Sequence, residues 1–155
     1  MIKEFIANLM FGTLFAVVGA AIAAGAPASP VIGTWKLDIA NSMFGASAAF
    51  KAQTRTYSQS AQGITLNMKA VGTDGKKATV QTTYQLDGKD YPVTGAAGYD
   101  SLSAKQIDGN TAEFTLKKDG KTVGTTRRRV SKDGKALTAA AKNAKGEDTL
   151  IFNRQ

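Results

Sequence analysis

The chain has 155 residues, with 20 Lys and Arg against 12 Asp and Glu, no His and no Cys. Without thiol or imidazole there is no Cys or His nucleophile, no His/Cys zinc site and no disulfide framework. Apolar residues make up 43%, and the length suits one domain rather than two.

The N-terminal segment reads as an address. Phe5–Ala24 is uncharged and dense in Leu, Phe, Val and Ala, and it contains Ala21-Ile22-Ala23, which fits a small-residue cleavage rule. Ala26-Pro27-Ala28-Ser29-Pro30 follows. Residues 1–25 are expected to be a secretory signal peptide. A run of about 20 apolar residues is also long enough to span a bilayer. Gly12, Gly19 and the Ala-rich end make that span weak, and no stop-transfer charge cluster follows. With no Cys, a lipoprotein anchor is excluded.

Residues 26–155 then form one domain, large enough to bury roughly two-thirds of its unfolded surface. Cleavage removes Lys3 together with Glu4, so the net charge stays at +8. A basic exported protein meets anionic headgroups more often than nucleic acid, so the expectation is weak contact with anionic lipid surfaces and no nucleic-acid partner. The lysines are scattered over turns and outward positions, where they chiefly serve solubility.

From about residue 32 the sequence is written in period two. Ile64, Leu66, Met68 and Ala70 alternate with Thr65, Asn67 and Lys69. Ala78, Val80, Thr82, Tyr84 and Leu86 alternate with polar neighbours, as do Ala112, Phe114 and Leu116. Each run reads as a half-buried antiparallel strand. Asp-Gly pairs at 74–75, 87–88, 108–109, 119–120 and 133–134 punctuate them as hairpin signals. Nine strands are predicted, near 32–39, 53–59, 63–71, 76–86, 99–107, 111–118, 121–130, 135–142 and 148–154. Asp90–Thr94 would add a tenth short piece. Asn41–Ala52 breaks the pattern and is expected to form a short helix, with Met43, Phe44 and Phe50 toward the interior.

The hairpin registers constrain one another. A two-residue turn at Asp119-Gly120 pairs Leu116 with Val123, and one at Asp133-Gly134 pairs Val130 with Leu137 and Arg128 with Ala139. Val123 and Val130 have opposite parity, so a bulge is required between them, and Gly124 is its natural place. A three-residue loop at 108–110 pairs Leu102 with Leu116 and Ala104 with Phe114. The fold class is therefore all-β, an antiparallel up-and-down barrel of about eight to ten strands, which removes its edges by closing. Outward positions carry Thr, Lys, Gln and Asn, which does not fit the lipid-facing band of an outer-membrane barrel.

Gly33-Thr34-Trp35-Lys36-Leu37-Asp38-Ile39-Ala40-Asn41-Ser42-Met43-Phe44 resembles the opening strand of the calycin superfamily, which holds the lipocalins and fatty-acid-binding proteins. The layout is similar to that of small exported bacterial lipocalin-like proteins without assigned functions. The resemblance implies that Gly33 and Trp35 are structural, the tryptophan closing the barrel base beneath a final-strand arginine, here Arg154. Two departures stand out. Cytosolic fatty-acid-binding proteins hold the ligand carboxylate with an Arg-x-Tyr pair on the last strand, where this chain has Leu150 and Phe152. They also carry a two-helix lid, for which 41–52 is too short.

Arg127, Arg128 and Arg129 are the next constellation. Arg127 and Arg129 suit a solvated strand face, while both hairpin registers aim Arg128 inward. Tyr84, Thr82 and Gln106 share that interior by pattern. Arg55 and Tyr57 alternate with Thr54, Thr56 and Ser58 on a strand whose inner face the sequence does not assign. An inward Arg and buried Tyr tips need partners, from side chains, water or a ligand. Ala70, Ala78, Ala104, Ala112, Ala139 and Ala141 fall on the same inner face. They leave room for a cavity, or else sit where a tapering barrel interlocks.

No carboxylate pair is placed for acid–base work, no Ser has a base beside it, and no calcium loop is present, so neither catalysis, a metal nor a cofactor is expected. Three functions fit. The preferred one is an exported binder of a small apolar or amphipathic ligand, with Arg128, Tyr84, Thr82, Gln106, Tyr57 and Arg55 as candidate contacts. The others are a protein-interaction barrel such as an envelope protease inhibitor, and a stress-related or structural periplasmic barrel with a filled core. The expected outcome for export is a mature chain beginning between Ala24 and Ala26, found in the periplasm or medium. N-terminal sequencing or intact mass checks it; Phe5–Ala24 retained in a membrane fraction would make this an anchored protein instead.

Overall fold

The computed structural model describes residues 27–155, and the expected signal peptide lies outside the described residues. The alternating runs become ten antiparallel strands: β1 (Gly33–Met43), β2 (Phe50–Ser60), β3 (Gly63–Gly72), β4 (Lys77–Tyr84), β5 (Asp87–Thr94), β6 (Ser101–Asp108), β7 (Thr111–Lys118), β8 (Lys121–Val130), β9 (Ala136–Asn143) and β10 (Gly146–Arg154). Each pairs with its sequence neighbour, and β1 pairs with β10, so the meander closes into a barrel.

Most registers follow the turn chemistry. Leu102 faces Leu116, Ala104 faces Phe114, Arg128 faces Ala139 and Val130 faces Leu137. At the β7–β8 turn Asp119 and Gly120 both have positive φ, 49° and 78°, the paired left-handed geometry that a tight two-residue hairpin requires.

Three expectations need correction. The first is the helix: among the described residues there is none, and β1 runs on to Met43 through a bulge. Local polar groups hold that bulge. Asp38 accepts hydrogen bonds from the Asn41 amide nitrogens, and the Ser42 hydroxyl accepts from the Ile151 N–H where the ladder has slipped. Met43 is 71% exposed rather than inward, while Phe44 and Phe50 pack edge to face at 6.2 Å.

Second, β5 is a full strand rather than a short piece. The Asp87-Gly88 pair belongs to it and sits at a register shift, with Gln85 and Leu86 making the connection from β4. Third, the bulge in β8 falls one residue earlier than expected. Leu116 pairs with Gly124 rather than Val123, which is displaced and 39% exposed. Close approach explains the choice: a Cβ on residue 124 would lie 2.9 Å from the Lys142 carbonyl oxygen, so the tight ladder position takes the glycine.

The two ends of the barrel differ. At the base Trp35 is fully buried and donates its indole N–H to the Val31 carbonyl at 2.7 Å. The Arg154 guanidinium stacks 4.2 Å from the Trp35 ring and donates to the carbonyls of Pro30, Ile32 and Gly134. One cation thus joins the N-terminal arm, the β8–β9 turn and the last strand into a plug.

At the opposite end the 44–49 loop is held across the rim by Asp148, a carboxylate only 6% exposed. Its Oδ1 accepts the backbone N–H groups of Gly45, Ala46 and Ser47 at 2.8, 2.7 and 3.1 Å. Burial raises this carboxyl's pKa, but the hydrogen bonds from Ser47, Ala46 and Gly45 together outweigh it and the net direction is down. A carboxylate with a depressed folded-state pKa contributes stability above its unfolded value and loses it as pH falls through the folded one. Asp148→Asn is therefore expected to lower stability near pH 7 by about 1–3 kcal/mol. The gap between parent and variant melting temperatures should close below about pH 4. Thermal melts across pH measure it; a gap independent of pH would remove the charge from the account.

Candidate functional site

Barrel closure gives β2 and β8 opposing inward faces. Gly33 pairs with Tyr57 and Trp35 with Arg55, so the inward parity of β1 places both Tyr57 and Arg55 on the interior of β2. On β8 the ladder from Val130 back to Arg128 turns Arg128 inward, where it is 5% exposed.

Arg128 and Tyr84 meet. The guanidinium donates through Nη1 to the Tyr84 hydroxyl at 2.6 Å. Its carbon lies 4.8 Å from the Phe114 ring centroid and 5.1 Å from that of Tyr57, so two aromatic faces flank the charge. Tyr84 in turn packs edge to face on Phe114 at 5.4 Å. Burial pushes the Tyr84 hydroxyl up to about 12, against the opposing pull of the Arg128 charge, so it is a neutral hydrogen-bonding group at any physiological pH.

Arg55 is half-buried. It donates through Nε to Gln53 Oε1 at 2.9 Å and lies 4.4 Å from the Phe152 ring. Gln53, 2% exposed, and Tyr99 are interior residues to which sequence reasoning gave no role. Gln53 shares the inward parity of Arg55, a signal available once β2 could be oriented. Tyr99 follows a Gly-Ala-Ala-Gly loop with no periodicity to orient it. Its hydroxyl pKa is raised by burial.

Two of the expected contacts are engaged elsewhere. The Thr82 hydroxyl is buried but donates to the Pro92 carbonyl at 2.9 Å, bridging β4 to β5. Gln106 is exposed: a bulge at the end of β6 lets its amide turn back to the Asp108 carbonyl. It shares with Arg128 only a crevice of about 10 Å³ under the barrel.

The interior is not filled. A chamber of about 90 Å³ is bounded by Arg55, Tyr57, Tyr84, Tyr99, Phe114 and Arg128, with Leu66, Met68, Leu102, Leu116 and Leu150 completing its walls. Toward the rim lies a vestibule of about 720 Å³, and Arg55, Met68, Tyr99, Leu116 and Leu150 border both spaces. Ala70, Ala78 and Ala141 line the vestibule and Ala139 the inner chamber, so four of the small inner-face residues border open volume. Ala104 and Ala112, 1% and 2% exposed, are instead packed into the core. Loops 44–49 and 95–100 and the β9–β10 turn surround the opening.

Comparison with known proteins finds no matching family model and no match among curated proteins. Solved structures do match. A Schistosoma mansoni fatty-acid-binding protein in complex with arachidonic acid aligns with TM-score 0.59 at 15% identity, over 82% of this chain and 97% of that one. The wild-type fluorescent protein UnaG aligns with TM-score 0.58 at 15% identity, over 80% and 96%. A variant of the fatty acid transporter REP1-NXSQ aligns with TM-score 0.58 at 19% identity, over 83% and 100%. At such identities the likeness is one of fold. The described chain is a ten-stranded barrel of the calycin fold.

Proposed function

We propose that this chain is an exported, non-enzymatic carrier that binds a small amphipathic ligand inside its barrel, apolar body in the vestibule and anionic head against Arg128. The observation that carries this reading is a buried guanidinium facing an unfilled chamber, with neutral tyrosines as its side-chain partners and no acid paired to it among the described residues. Burying a charge is costly unless it is paired, and a ligand carboxylate or phosphate would supply the missing partner through charge-assisted, bidentate bonds. The apolar walls suit a hydrocarbon body. Fold neighbours described as fatty-acid binders support a ligand of this size and kind.

The non-enzymatic part rests on the acids. Asp148 is the one buried carboxylate among the described residues, and one of its oxygens is engaged by three backbone N–H groups. The inhibitor reading is weaker because the chain from Pro30 to Ile32, an arm that would have to insert into a protease, is tied to Arg154 at the base. A filled structural barrel does not fit a vestibule of about 720 Å³.

Native mass spectrometry of protein purified gently from its own compartment tests binding; repeated preparations at the bare polypeptide mass would count against a carrier. Arg128→Met is expected to weaken dodecanoate binding by about tenfold or more, the scale of one charge-assisted bond. Its melting temperature should stay equal or rise, because an unpaired buried charge is removed. Calorimetric titration checks this; dodecanoate binding to the variant as tightly as to the parent would eliminate the anion site.

A further inference from the structure

We infer that the ligand's inner end carries two negative charges rather than one, held by Arg128 and Arg55 together. This rests on the interior-binding reading above and names the class of head group it admits.

The two guanidiniums border one small space. Both line the inner chamber, from β8 and β2 on opposing walls. Tyr57 links them: Arg128 lies over its ring, and Arg55 is two residues away on the same inward face of β2, about 7 Å along the strand. A chamber of about 90 Å³ holds a head group and little more, so an anion that reaches one cation lies within the field of the other.

Neither charge is neutralised by the protein. The five ion pairs among the described residues are Asp74–Lys76, Asp90–Lys117, Asp100–Lys118, Glu113–Arg127 and Lys142–Glu147, and none involves Arg55 or Arg128. Asp148 is the one acid lining either space, and its Oδ1 is engaged by the 45–47 backbone. The side-chain partners of both arginines are neutral, Gln53 for Arg55 and tyrosine for Arg128, and they leave most of the five donor hydrogens of each guanidinium free for a ligand. A monocarboxylate would satisfy one fork and leave two like charges only half balanced. A head with two charges balances both: two carboxylates on adjacent carbons, or a phosphate monoester, which is close to doubly ionised at neutral pH. Beyond the head, Met68, Val80, Leu116 and Leu150 line the way to the rim and call for an apolar body.

Calorimetric titrations at pH 7.5 with dodecanoate, dodecylsuccinate and dodecyl phosphate decide this, using the parent, Arg55→Gln, Arg55→Lys and Arg128→Met. Melting curves verify that each variant folds. The expected result is that at least one dianionic amphipath binds the parent about tenfold or more tighter than dodecanoate. A preference for only one of them identifies the head as dicarboxylate or phosphate. Arg55→Gln should bring that ratio to within about twofold while changing dodecanoate affinity much less, and Arg55→Lys should retain most of it because the charge remains. The inference is overturned if the parent binds dodecanoate as well as both dianions, or if the preference survives in a folded Arg55→Gln. In that case dodecanoate binding that still depends on Arg128 leaves the single-anion reading standing. Loss of both would appear as no anion binding in the parent, or as binding indifferent to Arg128→Met.

Discussion

The pairing of β1 with β10 is the constraint from which the rest follows. A ten-stranded meander has two edges with unpaired N–H and C=O groups, and closing it onto itself removes both. Closure also fixes the interior. With Leu37 opposite Phe152 and Trp35 opposite Arg154, one set of alternate residues on every strand must face inward. Ten strands enclose more volume than these side chains fill, particularly where Ala70, Ala78 and Ala141 stand. The cavity is thus a consequence of strand number and small residues together.

Closure leaves the two ends to be treated separately, and the chain treats them with opposite charges. At the base a cation, Arg154, collects backbone carbonyls over Trp35. At the rim an anion, Asp148, collects backbone N–H groups from a loop more than a hundred residues away in sequence. Each satisfies main-chain groups that closure would otherwise leave unpaired. The rim is the more open end, since the loops that Asp148 helps to hold surround the vestibule.

Much of this was legible in the sequence, for a physical reason. Period-two alternation and Asp-Gly turns report on neighbours close in the chain, and in this meander every strand pairing except β1 with β10 joins sequence neighbours. Hence the inward direction of Arg128 followed from two adjacent hairpins, and the stacking of Arg154 on Trp35 from a resemblance at the first strand. What escaped was either non-local or at strand ends. The orientation of Arg55 depends on β1–β2 pairing across a loop with no turn signal. Asp148 depends on a loop that no periodicity describes. Gln106 had the right parity but lies where β6 bulges and ends, and parity alone carries no information about where a barrel stops. Thr82 faces inward as expected, yet a carbonyl of β5 takes its hydroxyl first.

The interior cations of this barrel stand on β2 and β8, away from its last strand. The resemblance led to a last strand that carries an arginine and a tyrosine, and here the matching positions are Leu150 and Phe152, both buried and apolar. The chamber's cations come from β2 and β8, and one stacks on the ring at the position where the resemblance placed the tyrosine: Arg55 lies 4.4 Å from the Phe152 ring. That contact uses a ring face where the resemblance placed a hydroxyl, and needs no partner oxygen. Arg128 is arranged in the same way, between the faces of Tyr57 and Phe114 and hydrogen-bonded to the neutral Tyr84 hydroxyl. Aromatic faces stabilise a cation without cancelling its charge, whereas a carboxylate would neutralise it. Both arginines are therefore held in place by groups that leave their positive field directed into the chamber.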